Sequence, residues 1–340
     1  MVGTARQRSL ARSALAEAGE QLKRALDQIA TLPATPALRR EEIKLEVAFA
    51  NALTLTGDLV AGKAHYDRAL AIYDPAEHRP LTTPSGRDLQ VALLSFRSNC
   101  VWQLGYPAAS RNDAERAVKN ARETSHPTTL VYALSRAATI YIWCGNYPAA
   151  HAQLDELITL ADERGKALEN LARGKLFALT GNASDAVRAI TSGMTSLRST
   201  GAALYEPWHL WHLAMAYADL GQLDDARRCI DDAIEKVEGR KEKWCEAEVH
   251  RIAGEIALES REPDTEKAEK YFDHALAVAR QQQAKSWELR AAISLARLWR
   301  DQGKPQQARE LLAPVYGWFT EGFDTLDLKD AKALLDELAI

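Results

Sequence analysis

A segment of about forty residues recurs along this chain, and a recurrence of that length limits the fold more than any other feature. "LTGDLVAGKAHYDRAL", "QLGYPAASRNDAERAV", "WCGNYPAAHAQLDELI", "LTGNASDAVRAITSGM", "DLGQLDDARRCIDDAI" and "RDQGKPQQARELLAPV" align on a glycine. Five residues later stands a small residue. Four beyond it comes a position that is usually apolar or aromatic, and three beyond that a small or apolar one returns. The glycines are Gly57, Gly105, Gly145, Gly181, Gly221 and Gly303; the small positions are Gly62, Ser110, Ala150, Ala186, Ala226 and Ala308. A seventh copy, "PDTEKAEKYFDHAL", lacks the glycine and keeps Ala268, Phe272 and Ala275. The steps between small positions are 48, 40, 36, 40, 42 and 40 residues.

Each copy predicts two antiparallel helices. The glycine ends the first, because a left-handed residue is cheap only for glycine. The small residue opens the second and lets the two backbones approach. The positions four and three residues on share one face and fill the seam. One such hairpin cannot bury its apolar face alone, so the copies stack. Ala/Leu/Arg/Glu-rich segments dominate and Val/Ile/Thr clusters are scarce, so nearly all of the chain should be helix.

In the first helices, Ala138, Ala214 and Ala296 precede their glycines by seven residues, and Tyr141, Tyr217 and Trp299 precede them by four. With the glycine and the later small pair, this pattern resembles the tetratricopeptide repeat over nearly the whole chain. The resemblance implies an all-α, right-handed superhelical solenoid of antiparallel helix pairs, with a period of about 40 where the family usually has 34. Longer repeats of this kind resemble the sensor region of MalT-like bacterial regulators. The segment "AKSWELRAAISLARLWRDQGKPQQARELLAPVYGWFTEGFDTLDLKDAKALLDEL" (284–338) resembles the C-terminus of bacterial signalling proteins. Those proteins join an adenylate cyclase or winged-helix output domain to an ATPase and then to helical repeats.

The expected organisation is one solenoid over 1–340. Residues 1–33 form the leading helix of a partial repeat, with Ala18, Leu22 and Ala25 in the second-helix pattern before Pro33. Seven helix pairs span 41–323, and a capping helix spans 324–340, starting at Asp324 or Thr325. A chain that opens on a second helix suggests a piece of a longer protein. The longest connector, "DPAEHRPLTTPSGRD", carries three prolines.

Bulk charge excludes little by itself but offers no attraction to nucleic acid or an acidic membrane: 43 basic residues face 47 acidic ones, a net of -4. Cys100, Cys144, Cys229 and Cys245 form no CxxC pair, which argues against a zinc ribbon or redox motif. The opening residues lack the apolar core of a secretory signal, and no apolar run approaches a membrane span. The expected location is cytoplasmic.

"GDLVAGKAHY" (57–66) nearly matches a phosphate-binding loop. Such a loop needs backbone amides between a strand and a helix, and a hydroxyl after the lysine for magnesium. Here Gly57 and Gly62 hold hairpin positions, Lys63 falls on an exposed helix face, and Ala64 has no hydroxyl. His209 and His212 stand three apart without a matching carboxylate or cysteine partner, so they read as ordinary helix residues. Asn182 heads a sequon by pattern alone. No nucleophile–base arrangement is signalled. The expectation is therefore no enzyme activity, no catalytic residue, no metal and no cofactor.

In tetratricopeptide arrays, the first-helix face turned away from the seam lines the inside of the superhelix and binds ligands. By register that face carries Tyr132, Leu171, Lys175, Trp208, Trp211, Met215, Arg251, Glu255, Arg290 and Arg297. Its middle is aromatic and apolar, and its C-terminal part is charged. Aromatic and Arg side chains are favoured anchors, and such a groove suits an amphipathic peptide. A peptide-carboxylate clamp is not matched: Asn51 and Asn99 are present, but Val47 and Ser95 stand where that clamp uses a Lys or polar partner. The functional expectation is a protein- or ligand-binding module, the regulatory region of a larger bacterial signalling ATPase, cyclase or transcription regulator. Its partner would be a protein, a peptide or domains of the parent, with no nucleic acid or membrane. The alternatives are a MalT-type small-molecule sensor and a self-associating scaffold.

Overall fold

A computed structural model describes residues 2–79, 81–84, 86–124, 126–160, 163–199, 204–259 and 262–339. Pro80 and Ser85 of the long connector lie outside these. In chain order, helix α1 (Val2–Ala30) is followed by α2 (Pro36–Thr56), α3 (Leu59–Ile72), the single turn α4 (Pro75–His78), α5 (Leu89–Gln103) and α6 (Pro107–Glu123). Then come α7 (Pro127–Trp143), α8 (Tyr147–Leu160), α9 (Glu163–Leu179), α10 (Ala183–Ser199), α11 (Glu206–Asp219) and α12 (Leu223–Arg240). The chain ends with α13 (Glu246–Leu258), α14 (Thr265–Gln281), α15 (Lys285–Asp301), α16 (Pro305–Gly317) and α17 (Leu326–Glu337). No strand occurs among the described residues; one isolated bridge joins Thr82 and Asp88.

The protein is an all-α solenoid of stacked helix pairs. The pairs α2/α3, α5/α6, α7/α8, α9/α10, α11/α12, α13/α14 and α15/α16 each pack along their length. All six repeat glycines have positive φ, between 71° and 93°. After α5, the Gly105 N–H donates to the Trp102 carbonyl and the Tyr106 N–H to that of Val101, satisfying carbonyls the helix leaves open. A Cβ on Gly62 would lie 2.6 Å from Thr54 Oγ1 and 3.1 Å from the Ala50 carbonyl, so the small position sets the α2–α3 spacing. The corresponding Ser110, Ala150, Ala186, Ala226, Ala268 and Ala308 are fully buried, as are the seam residues Tyr66 and Ala69.

The array also closes on itself. Donors from the C-terminal half reach the open carbonyls at the ends of early first helices. The Lys243 N–H donates to Leu55 O at 2.8 Å, Ser286 Oγ to Trp102 O at 2.5 Å, and Arg290 to Trp143 O at 3.1 Å. In return, α6 has no capping side chain of its own, and the Glu321 carboxylate accepts from Ala108 N at 2.9 Å and Ala109 N at 3.0 Å. Arg111 forms a two-pronged ion pair with Asp324. Gly105 makes this clasp possible: a Cβ there would meet Trp318 at 2.6 Å and Lys285 at 2.7 Å. Thr325 stands at the start of α17, and the Leu326 N–H reaches the Cys144 carbonyl.

Candidate functional site

Closure brings six tryptophans together at the centre of the inner face. Trp102 lies 4.6 Å from Trp143 and 4.7 Å from Trp287, ring centre to ring centre. Trp208, Trp211 and Trp244 extend the cluster at 5.8–6.2 Å. Such tilted and edge-on pairs add packing energy beyond the area they bury. Trp208 and Trp211 are therefore core residues over most of their surface. They do not lie along an open groove; they stand between two cavities.

The first cavity, about 270 Å³, lies between α7, α9 and α11. Tyr132, Leu171, Lys175 and Trp208 line it, together with Phe96, Arg136, Tyr205 and His209. Lys175 is almost wholly buried, and its Nζ sits 3.2 Å from the centre of the Trp208 ring. The half-buried Arg136 guanidinium lies 4.9 Å from the Tyr205 ring and 5.3 Å from that of Tyr132. No carboxylate pairs with either cation among the described residues. Burial, followed by the charge of Arg136, holds the Lys175 ammonium well below the usual lysine range. Tyr132 Oη, Trp208 Nε1 and His209 Nδ1 are buried without hydrogen-bond partners. Each such group costs free energy while it stays unsatisfied.

The second cavity, about 150 Å³, is lined by Trp211, Met215, Arg251, Arg290 and Arg297, with Glu248 and Asp327 among them. Its buried charges are matched. Arg251 grips Glu248 with two bonds of 2.8 and 2.9 Å. Arg290 reaches Glu248 at 3.2 Å and Asp327 at 2.8 Å. Glu255 enters through Arg251 and through Ser294, whose hydroxyl donates to it at 2.5 Å. Burial pushes the Glu248 carboxyl up, but Arg251 and Arg290 outweigh it and hold it at about 2. The ten residues of the predicted stripe thus divide, four to the first cavity and six to the second with its network.

Arg136 is not among the ten residues the register names, yet it stands four residues after Tyr132 and so shares its helix face. Glu246, His250 and His274 also bring potential metal-ligating atoms within 4.8 Å of one another. Glu246 is already paired with Lys243 at 2.7 Å, so this group reads as a contact between α13 and α14. His212 Nδ1 contacts the Trp208 carbonyl, and burial lowers its pKa to about 3, which suits a core histidine. Lys63 pairs with Asp67 on α3, and the apparent phosphate loop is a helix hairpin. No helix among the described residues is long and apolar enough to cross a membrane.

No protein-family model matches the sequence, and no curated protein matches it. Solved structures match in shape. The chain is similar to a Rap protein in complex with Competence and Sporulation Factor, with 14% identity, coverage of 88% of this chain and 80% of that one, and a TM-score of 0.59. It is similar to the apo form of the quorum sensor NprR from B. thuringiensis, with 13% identity, 89% and 81% coverage, and a TM-score of 0.53. It is also similar to aspartyl phosphate phosphatase F from Bacillus subtilis, with 13% identity, 88% and 78% coverage, and a TM-score of 0.51. At these identities the likeness is one of fold: a tetratricopeptide-like array of helix pairs.

Proposed function

We propose that this chain is a non-catalytic regulatory module that binds a protein or peptide partner through its inner face. The observation that carries this reading is the first cavity, where buried cations and unsatisfied donors are left open by a fold that closes elsewhere. The described neighbours support it, since they include a complex with a named factor and a quorum sensor. The thiols support the non-catalytic part: burial pushes Cys100 and Cys144 up to about 12 and Cys229 to about 11, far from a reactive thiolate. In the cytoplasm of a bacterium, such a module would sit beside an ATPase, cyclase or DNA-binding output domain. Occupancy of the inner face would bias the clasp between the early and late repeats, and so the attached domains.

A photo-crosslinking residue at the exposed Leu204, on the cavity rim, tests the reading in cells of the source organism. A defined protein or peptide should be captured there and not from the more exposed Asp224. Equal capture at both positions, or none at either, would remove the proposal. A second reading, a small-molecule sensor, is favoured by the division of the inner face into two small cavities in place of one continuous groove. Self-association is separated from both by sedimentation across a range of protein concentrations.

A further inference from the structure

We propose that the cavity holding Arg136 and Lys175 is a binding site for a small organic anion, a carboxylate or phosphate ester carried on a flat apolar ring. The inference rests on the second reading, a small-molecule sensor, and names the ligand class for it. Charge is the first argument. Three cations line one cavity, Arg87, Arg136 and Lys175, and among the described residues Arg136 and Lys175 meet no carboxylate. Removing a cation from water without a counter-ion is costly, and an incoming anion reverses that cost. Burial already pulls the Lys175 proton off more easily than usual, and an anion is the partner that would retain it.

Hydrogen bonding points the same way. Tyr132 can donate from its hydroxyl, and Trp208 Nε1 can only donate. Both are buried and unpartnered. A ligand rich in acceptor oxygens satisfies them, whereas a cationic ligand would satisfy neither and would repel Lys175. Shape sets the rest. The walls are the rings of Tyr132 and Trp208 and the side chain of Leu171, which suit a flat apolar body. A volume of about 270 Å³ falls just below the roughly 300 Å³ at which small-molecule sites usually begin, which limits the ligand to about one ring and one anionic group. Half-buried Leu168 and Leu197 and exposed Leu204 border the cavity and provide the way in.

Isothermal titration calorimetry of the full chain tests this with phenylacetate, phenyl phosphate and the neutral phenylacetamide. At least one anion should bind about tenfold or more tightly than the amide, because the amide leaves both cations unpaired. The preferred anion identifies the carboxylate or the phosphate source. Lys175→Met and Arg136→Met should each weaken anion binding by about tenfold or more and narrow the preference for anion over amide. Amide binding as tight as that of both anions would overturn the proposal, as would failure of both anions to bind, or full affinity in both variants. Should a variant fail to fold, the anion–amide comparison on the unaltered chain decides alone. Failure of the anions alongside cross-linking at Leu204 would sink this inference and leave the partner-binding reading standing. Anion binding without a captured protein or peptide would do the reverse.

Discussion

The two inner cavities contain similar cations in opposite circumstances. Around Trp211, Arg251 and Arg290 are tied to Glu248, Glu255 and Asp327, and Arg290 also caps the end of α7. Around Trp208, Arg136 and Lys175 face aromatic rings and unsatisfied donors. A matched buried charge serves the fold, because breaking it leaves its partner stranded. An unmatched one lowers stability, and such residues persist where a function requires them. The network around Trp211 ties α13, α15 and α17 together and, through Arg290, to the end of α7; the cations around Trp208 remain available.

Removing a partner from each cavity should therefore move stability in opposite directions. The largest effect is expected for Glu248→Ala. It strands Arg251 and Arg290 and should destabilise the fold by about 3–5 kcal/mol in urea unfolding. A cost under about 1 kcal/mol would show that the network is not structural. Next comes acid. The Glu248 carboxyl is held at about 2, below its ordinary 4.5. Its contribution is thus fully present above pH 4.5 and disappears as pH falls towards about 2. Linkage puts it at up to about 3 kcal/mol, and Glu248→Gln should flatten that part of the stability–pH curve. Lys175→Met, by contrast, should stabilise the protein by about 1–2 kcal/mol at neutral pH, because it removes a buried cation with no counter-ion. A lower melting temperature would erase the contrast between the cavities. The smallest effect belongs to Arg297→Ala. The Arg297–Asp330 pair is half-exposed at 3.4 Å, so thermal denaturation should shift by less than about 1 kcal/mol.

Much of the fold was legible because its signals are local. Glycine, a small residue five later and a seam residue four beyond mark one hairpin, and each acts within a few helical turns. That is why Gly57, Gly62 and Tyr66 read as turn, close approach and seam before any contact was known. The inner stripe uses the same register: Tyr132 and Trp208 each stand thirteen residues before their glycine, and Leu171 and Trp211 ten before theirs. Its division into two cavities was not legible. That depends on hydrogen bonds between residues 184 and 213 positions apart, such as Ser286 to Trp102 and Ala108 to Glu321. No periodicity encodes such pairings. Arg136 falls outside that register for a smaller reason: its long side chain reaches the cavity from a position beside the stripe.

The clasp also changes how the protein should come apart. In an open array, each repeat touches only its neighbours, and the ends can peel away while the middle persists. Here residues of the C-terminal half supply a cap for α6 and donors for the carbonyl ends of α2, α5 and α7. Losing the end of the chain would undress its beginning. Melting followed by calorimetry should therefore show one heat-absorption peak, with fraying at neither end. Refolding should be slow for a helical protein of this size, since the final step waits for partners distant in sequence to meet.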